Sequence, residues 1–235
     1  MAIKYIFFDL DGTLLPMDQD KFVQTYMGGL VTAMAPCGFA PKAIADGMGL
    51  GVASMVKNDG SRSNEQVFWD AFCSVVGPDG RNHMDVVNHF YANEFQEVRH
   101  VCGFAPEAAE VVALVKQLGY TPVLATNPLF PRAATESRVR WAGLQPSDFA
   151  LITVYDNSRH SKPNPDYYRD IMEALGAQPE ECCMVGNDAK EDMLAETLGM
   201  QVFLLTPCLI NSEGKDLSRY PQGGFAELMA WLRGL

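Results

Sequence analysis

Short apolar runs alternate with segments of helical periodicity over most of this chain. We interpret the apolar runs as buried strands, at residues 4–10, 122–125, 149–154, 182–185 and 202–205. Apolar residues recur at helical spacing between and after them, at 106–118, 131–141, 165–175, 193–198 and 225–232. Strands that alternate with helices of this length form right-handed βαβ units. The pattern therefore predicts an α/β fold with a parallel sheet and helices on both faces.

The alternation stops between residues 17 and 101, where helical periods alone remain. One apolar stripe is formed by Phe22, Val23, Tyr26 and Leu30, and another by Val67, Phe68, Ala71, Phe72 and Val75. Asn64 is placed to cap the second of these helices. We expect residues 17–101 to form an all-α subdomain inserted into a core of residues 1–16 and 102–235. Because it leaves the sheet after the first strand, it should lie above the carboxyl edge.

Polar side chains follow the predicted strands at this same edge. Asp9 and Asp11 follow the first strand, Thr126 the second, Lys162 the third and Asp188 the fourth. Parallel sheets bind ligands at the carboxyl ends of their strands. We therefore expect these residues to meet in one site.

The pair Asp9 and Asp11 ends a buried strand, where a carboxylate needs a cation or hydrogen bonds. Mg²⁺ would supply the cation, since hard cations prefer oxygen ligands. Gly12 lets the backbone turn and offer N–H groups to an anion. The alternative at this point is an ordinary turn or helix cap, for which Asp-Gly is a good pair.

The composition of the chain limits which kinds of molecule we expect it to bind. The 235 residues carry a formal net charge of −11 and show no basic patch, so we do not expect nucleic-acid binding. A chain this acidic repels anionic ligands at long range, so an anionic substrate would need local cations. No apolar run approaches the roughly 18–20 residues of a membrane span, and the start does not resemble a signal peptide. We expect a cytoplasmic protein that does not bind membranes.

Four segments together resemble the motifs of the haloacid dehalogenase-like superfamily. They are FFDLDGTL at 7–14, LATN at 124–127, HSKPNPDYY at 160–168 and VGNDAKEDM at 185–193. Each lies at the end of a predicted strand, in the order of the family. The resemblance covers residues 3–15 and about 104–206, and it implies a Rossmann-like core with a helical cap inserted after the first motif.

The resemblance implies roles for the matching residues. Asp9 would be the nucleophile and form an aspartyl-phosphate, and Asp11 would act as general acid and then general base. Thr126 and the N–H of Asn127 would hold phosphoryl oxygens, with Gly12 in the same loop. Lys162 would place a positive charge beside Asp9 and the phosphate.

The resemblance also implies a Mg²⁺ site. Its ligands would be the Asp9 carboxylate, the Asp11 carbonyl and a carboxylate of the fourth motif. That motif often reads Gly-Asp, whereas this chain has an asparagine at 187 before Asp188. We favour Asp188 as the ligand because it is charged, and Asn187 remains the alternative. Asp192 would orient Lys162 or a metal-bound water.

These roles predict a Mg²⁺-dependent hydrolase, a phosphatase that acts on small phosphorylated metabolites because a cap would hinder larger substrates. Asp11 favours phosphoryl transfer over C–halogen hydrolysis, which needs no acid at that position. A phosphosugar mutase or a phosphonate hydrolase of the superfamily remains an alternative. A non-catalytic phosphate-binding or signalling protein is a further one. The sequence does not indicate an oligomeric state.

Overall fold

The computed structural model describes residues 2–235 and contains one parallel sheet. Its strands are β1 (Tyr5–Phe8), β2 (Thr121–Leu124), β3 (Cys182–Gly186), β4 (Gln201–Leu205) and β5 (Gln222–Gly223). They lie in the order β2-β1-β3-β4-β5, and every neighbouring pair is parallel. The predicted α/β fold with a parallel sheet is confirmed.

Eight α-helices and several 3₁₀ helices surround the sheet. The α-helices are α1 (Gln19–Met34), α2 (Pro41–Val56), α3 (Asn64–Val76), α4 (Met84–Ala92), α5 (Glu107–Gln117), α6 (Arg132–Trp141), α7 (Pro165–Leu175) and α8 (Phe225–Leu232). The 3₁₀ helices are Ala35–Cys37, Pro78–His83, Glu94–Val101, Pro146–Asp148, Pro179–Glu181 and Met193–Leu198. No helix within residues 2–235 is long and apolar enough to cross a membrane.

The two faces of the sheet have separate apolar cores because side chains alternate along a strand. Ile6 and Phe8 of β1 pack with α5, α6 and α8 on one face. Phe7 packs with α7 and the 3₁₀ helix Met193–Leu198 on the other. Burial on both faces explains why the strands read as continuous apolar runs in the sequence.

The regular elements that the structure describes between β1 and α5 are all helical. An aromatic cluster joins this helical segment to the core: Phe95 stacks on Trp141 of α6, with 5.1 Å between ring centroids. On α1, Phe22 and Tyr26 are buried as expected, but Val23 is 50% exposed. The subdomain boundary at residues 17 and 101 stays a prediction.

The predicted strand at 149–154 was wrong. Ile152 forms an isolated parallel bridge with Leu124 of β2 rather than a strand. A longer ladder would join the Tyr155 N–H to the Thr126 carbonyl, but the Tyr155 N–H donates to the Phe130 carbonyl at 3.0 Å. The Thr126 carbonyl instead accepts from the hydroxyls of Thr153 and Tyr167, so the ladder ends after one bridge.

Three smaller expectations also differ from the structure. The cap of α3 is Ser63, and Asn64 is instead its first residue and fully buried. The segment Met193–Leu198 is a 3₁₀ helix rather than an α-helix. On α3, Val75 is exposed, so the buried face consists of Phe68, Trp69 and Phe72.

Candidate active site

Asp9 follows β1, the strand that lies between β2 and β3, and its N–H donates to the Val185 carbonyl at 2.9 Å. Both carboxylate oxygens accept hydrogen bonds. The Lys162 ammonium donates to Oδ1 at 3.0 Å, and the Thr13 hydroxyl lies 3.0 Å from Oδ2. With 7% of its surface exposed, Asp9 is a nearly buried carboxylate held in one orientation.

Lys162 lies between two carboxylates, and 1% of its surface is exposed. Besides Asp9 it contacts Asp192, at 2.6 Å from Nζ to Oδ1. Burial opposes the charged form of the lysine, but the charges of Asp192 and Asp9 outweigh it and raise its pKa well above the usual value. Lys162 therefore keeps its positive charge beside Asp9.

Asp192 occupies the position that the sequence suggested for orienting Lys162. Its second oxygen accepts from the Asp188 N–H at 3.0 Å, so both oxygens are occupied. Gly186 makes this approach possible, because a Cβ there would overlap the Asp192 carboxylate. The end of β3 therefore positions the lysine through one intervening carboxylate.

Asp11 forms an ion pair with Arg138 of α6, a residue with no exposed surface. The other carboxylate oxygen of Asp11, Oδ1, is buried and has no hydrogen-bond partner among residues 2–235. Burial raises the pKa of Asp11 above its usual value, although the charge of Arg138 acts in the opposite direction. Such a carboxyl group can take up and release a proton nearer neutral pH than an exposed aspartate.

Thr126 and Asn127 extend from the carboxyl end of β2. The Thr126 carbonyl accepts from the hydroxyls of Thr153, at 2.6 Å, and Tyr167, at 2.9 Å. The Asn127 amide donates to Glu191 at 3.0 Å. These bonds fix the turn after β2 where the sequence placed a phosphoryl-binding group.

Gly12 has a φ of +87° and packs against the Asn187 side chain, where a Cβ would overlap the amide. Its N–H donates to the Leu15 carbonyl at 2.8 Å, so that N–H is already used within the turn. The role visible for Gly12 is thus to shape the loop that carries Asp9 and Asp11. Binding of an anion by its N–H would require the bond to Leu15 to break.

Asn187 and Asp188 differ in how much of their side chains remains free. The Asn187 amide donates to the Cys208 carbonyl at 2.7 Å, and its oxygen lies 2.9 Å from the Thr13 hydroxyl. In Asp188, Oδ1 accepts from the N–H groups of Lys190 and Glu191, at 2.7 and 2.9 Å. The Asn187 amide nitrogen is thus bonded, its oxygen shares the one Thr13 hydroxyl hydrogen with Asp9, and one oxygen of Asp188 stays free of these bonds.

The expected residues of strands one, two and four line one cavity of about 190 Å³. Its walls include Asp9, Asp11, Thr126, Asn127, Asn187, Asp188 and Asp192. Lys162, which follows the bridge at Ile152, reaches the site through its bonds to Asp9 and Asp192. The structure thus brings together every residue that the sequence proposed for the site.

Two residues of the site were missed in the sequence. Arg138 could have been found, because Ala134, Arg138 and Trp141 recur at helical spacing and place a charge on an apolar face. Glu191 lines the cavity beside Asn127, and burial raises its pKa. Its position in the fourth motif gave no separate signal.

The donor set of the cavity suits a hard cation. The Asp9 and Asp188 carboxylates line it and are oxygen donors of the kind that Mg²⁺ prefers. Burial raises the pKa of both Asp11 and Glu191, and the charge of Asp9 adds to the rise in each. Within residues 2–235, no group of three or more His, Cys, Asp or Glu side chains is arranged to hold a metal ion. A Mg²⁺ ion bound to these carboxylates would therefore need further oxygen ligands from the backbone, water or substrate.

A sequence model described as "haloacid dehalogenase-like hydrolase" matches residues 3–195. The chain belongs to the haloacid dehalogenase-like hydrolase family. The protein is therefore a hydrolase, and the matched range includes all four segments that resemble the family's motifs. The match spans β1, the helical segment and the structure through β3.

Other members of the haloacid dehalogenase-like family resemble the chain over most of its length. A phosphoglycolate phosphatase of Neisseria gonorrhoeae is 27% identical over 82% of this chain and 75% of that protein. The solved HAD phosphatase from Thermococcus onnurineus has a TM-score of 0.59 at 18% identity, covering 99% of both chains. The L-2-haloacid dehalogenase from Xanthobacter autotrophicus has a TM-score of 0.58 at 18% identity, covering 100% of both. The shared fold therefore accommodates phosphatases and dehalogenases alike.

Proposed function

We propose that this hydrolase is a Mg²⁺-dependent phosphatase of small phosphate monoesters, acting through an aspartyl-phosphate on Asp9. The observation that carries the proposal is the position of Asp11, which lines the same cavity as Asp9 with one buried, unpartnered oxygen. An ester oxygen needs a proton as it leaves, whereas a halide does not. The similarity to phosphoglycolate phosphatases supports the same class of reaction.

In the first half-reaction, the Asp9 carboxylate attacks phosphorus and the bond from phosphorus to the ester oxygen breaks. Asp11, in its protonated form, gives its proton to the departing alcohol oxygen. Lys162 and the turn at Thr126 and Asn127 balance negative charge on the phosphoryl oxygens.

In the second half-reaction, water attacks phosphorus and the bond to Asp9 breaks, which releases inorganic phosphate. Asp11, now ionised, accepts the proton of that water. The ion pair with Arg138 stabilises Asp11 in this ionised state. The two half-reactions together return Asp11 to its protonated form.

Mg²⁺ would be held by Asp9, the Asp11 carbonyl and Asp188, and it would offset repulsion between the anionic nucleophile and the phosphate. We prefer Asp188 to Asn187 because Asp188 is charged and only one of its carboxylate oxygens accepts backbone hydrogen bonds. We place the protein in the cytoplasm. We also propose that residues 17–101 act as a cap that excludes water and large substrates.

The test is release of inorganic phosphate from a panel of small phosphate monoesters, with Mg²⁺ or with EDTA. We expect activity only with Mg²⁺, and a loss of at least about 10³-fold in Asp9→Asn, which removes the nucleophile. Asp20→Asn, an exposed acid on α1, is the matched control and should retain full activity.

Phosphate release that persists in Asp9→Asn would contradict the proposed nucleophile. Absence of release by the intact enzyme would contradict the phosphatase assignment. Assays with phosphonates, phosphosugars as mutase substrates, and 2-haloacids would then separate the remaining reactions of the family.

A further inference from the structure

A second cavity, of about 150 Å³, lies between the helical segment and two loops of the core and is distinct from the catalytic one. Its walls come from α1, α2, α3 and α4 and from the loops around Phe130 and Tyr155. Every wall residue is aliphatic, aromatic, Met or Pro, and seven of the sixteen are aromatic. It is therefore a mainly apolar chamber, in which the wall residue Trp69 has a buried Nε1 without a hydrogen-bond partner among residues 2–235.

The apolar cavity adjoins the catalytic cavity. Val23, Leu129 and Phe130 line both of them. Val23 is a valine on the apolar stripe of α1 that is nevertheless 50% exposed. A group attached to a phosphate beside Asp9 could extend past these three residues into the apolar cavity.

The charges around the two cavities disfavour a negatively charged organic group. Of the residues that the structure describes, none that lines the apolar cavity is Lys, Arg or His. The acidic side chains of the catalytic cavity include Asp188 and Glu191 in addition to Asp9 and Asp11. The nearby cations, Lys162 and Arg138, are already paired with carboxylates of the protein, so a carboxylate on the substrate would meet repulsion without a free counter-ion.

We propose that the alcohol part of the substrate is an uncharged apolar group about the size of a benzene ring, bound in the apolar cavity. This rests on the proposed phosphatase function. A cavity of roughly this volume with apolar walls stays dry and binds benzene in another protein. Offset or edge-to-face contacts with Tyr26, Phe68 and Phe130 would favour an aromatic ring.

The test compares kcat/KM for ethyl phosphate, 2-phenylethyl phosphate and phosphoglycolate. The first two are esters of primary alcohols that differ by one phenyl group, and the third carries a carboxylate in place of the methyl group. We expect 2-phenylethyl phosphate to exceed ethyl phosphate by about 10- to 100-fold, as for burial of an aromatic side chain. Phosphoglycolate should be the poorest of the three.

Val52 of α2 lines the apolar cavity and allows the cavity to be altered. Val52→Phe should lower the ratio of 2-phenylethyl to ethyl phosphate by about tenfold, because it fills the space. Val52→Ala should raise kcat/KM for 2-(1-naphthyl)ethyl phosphate relative to 2-phenylethyl phosphate. Val56→Phe, at an exposed position one turn further along α2, is the control and should change neither ratio.

The outcomes separate the two proposals. If the intact enzyme cleaves all three esters equally well, or prefers phosphoglycolate, the apolar cavity does not select the substrate and the phosphatase function still stands. If it cleaves none of them with Mg²⁺, both proposals fail. Ratios that Val52→Phe and Val52→Ala leave unchanged would also overturn the assignment of the cavity.

Discussion

The ammonium group of Lys162 is buried between Asp9 and Asp192, so one positive charge faces two carboxylates. Neither oxygen of Asp192 is free to contact the substrate directly, since one accepts from Lys162 and the other from the Asp188 N–H. We therefore propose that Asp192 acts on the reaction by keeping Lys162 charged and directed at Asp9.

Replacing Asp192 with Asn removes one of the two charges that raise the pKa of Lys162. Burial, which favours the neutral amine, then weighs more heavily, and the pKa of Lys162 falls. We expect kcat/KM of Asp192→Asn to decline at a lower pH than that of the intact enzyme. The measurement is a pH–rate profile, with Asp166→Asn, an exposed acid on α7, as the control. If kcat/KM of Asp192→Asn and of the intact enzyme declined at the same alkaline pH, Asp192 would not control the pKa of Lys162.

Arg138 has the corresponding role for Asp11. Replacing it with Met leaves Asp11 without its partner, and we expect a loss of about 2–3 kcal/mol in the free energy of unfolding, less than for a fully buried pair. The pKa of Asp11 should rise further, because Arg138 lowers it. Activity that needs the protonated form of Asp11 should then persist to a higher pH than in the intact enzyme.

Denaturant unfolding and a pH–rate profile measure these two effects of Arg138→Met. Arg140→Met is the matched control, because Arg140 lies on the same helix and pairs with Glu136 at the surface. That pair should contribute less than about 1 kcal/mol. Equal stability and equal profiles for the two variants would be incompatible with the role of Arg138.

At the scale of the elements, the ends of strands could be predicted better than the strands themselves. The apolar run at 182–185 and the turn that follows it identified β3 and its polar end. The run at 149–154 gave a similar signal, yet its ladder with β2 stops after one bridge because the Tyr155 N–H donates to the Phe130 carbonyl. Periodicity does not record which carbonyl a backbone N–H will find in the folded chain. β5 escaped notice because two residues carry no pattern.

At Gly186, the last residue of β3, an added methyl group should disturb both the stability and the site. Gly186→Ala would place a Cβ against the Asp192 carboxylate and displace it from Lys162. We expect a loss of more than about 2 kcal/mol in stability, together with a loss of most of the activity. Gly49→Ala, in α2 with open space around it, should be neutral or stabilising by up to about 1 kcal/mol. Thermal unfolding and phosphate release distinguish the two, and equal behaviour would contradict this account.

At the scale of the whole molecule, the sequence identified the α/β core, the helical segment and the residues that meet at the sheet edge. It did not reveal the pair of Asp11 with Arg138, since that contact joins positions 127 residues apart. Nor did it reveal the apolar cavity, whose walls come from four helices and two loops. Stripes on single helices show which faces are buried but not where their packing leaves a space.

The acidic cavity predicts a global effect of Mg²⁺. A cation that binds only the folded state, at a concentration 100 times its Kd, adds about 2.7 kcal/mol to the free energy of unfolding. For a chain of this size, that raises the melting temperature by about 5–10 °C. Asp188→Asn should lose most of that rise. Asn187→Ala should melt lower, because Asn187 is buried, but should keep the rise. The reverse result would assign the cation to Asn187.

The position of β1 in the sheet has a consequence for how the chain matures during synthesis. β1 is made before both of its neighbours in the sheet, since Tyr5 pairs with Thr121 on one side and with Cys182 on the other. The apolar strand that precedes Asp9 therefore stays unpaired while the helical segment and part of the core are made. Asp9 meets Lys162 only after 153 further residues have been added, so a chain that stops before Lys162 has the carboxylate without its cation.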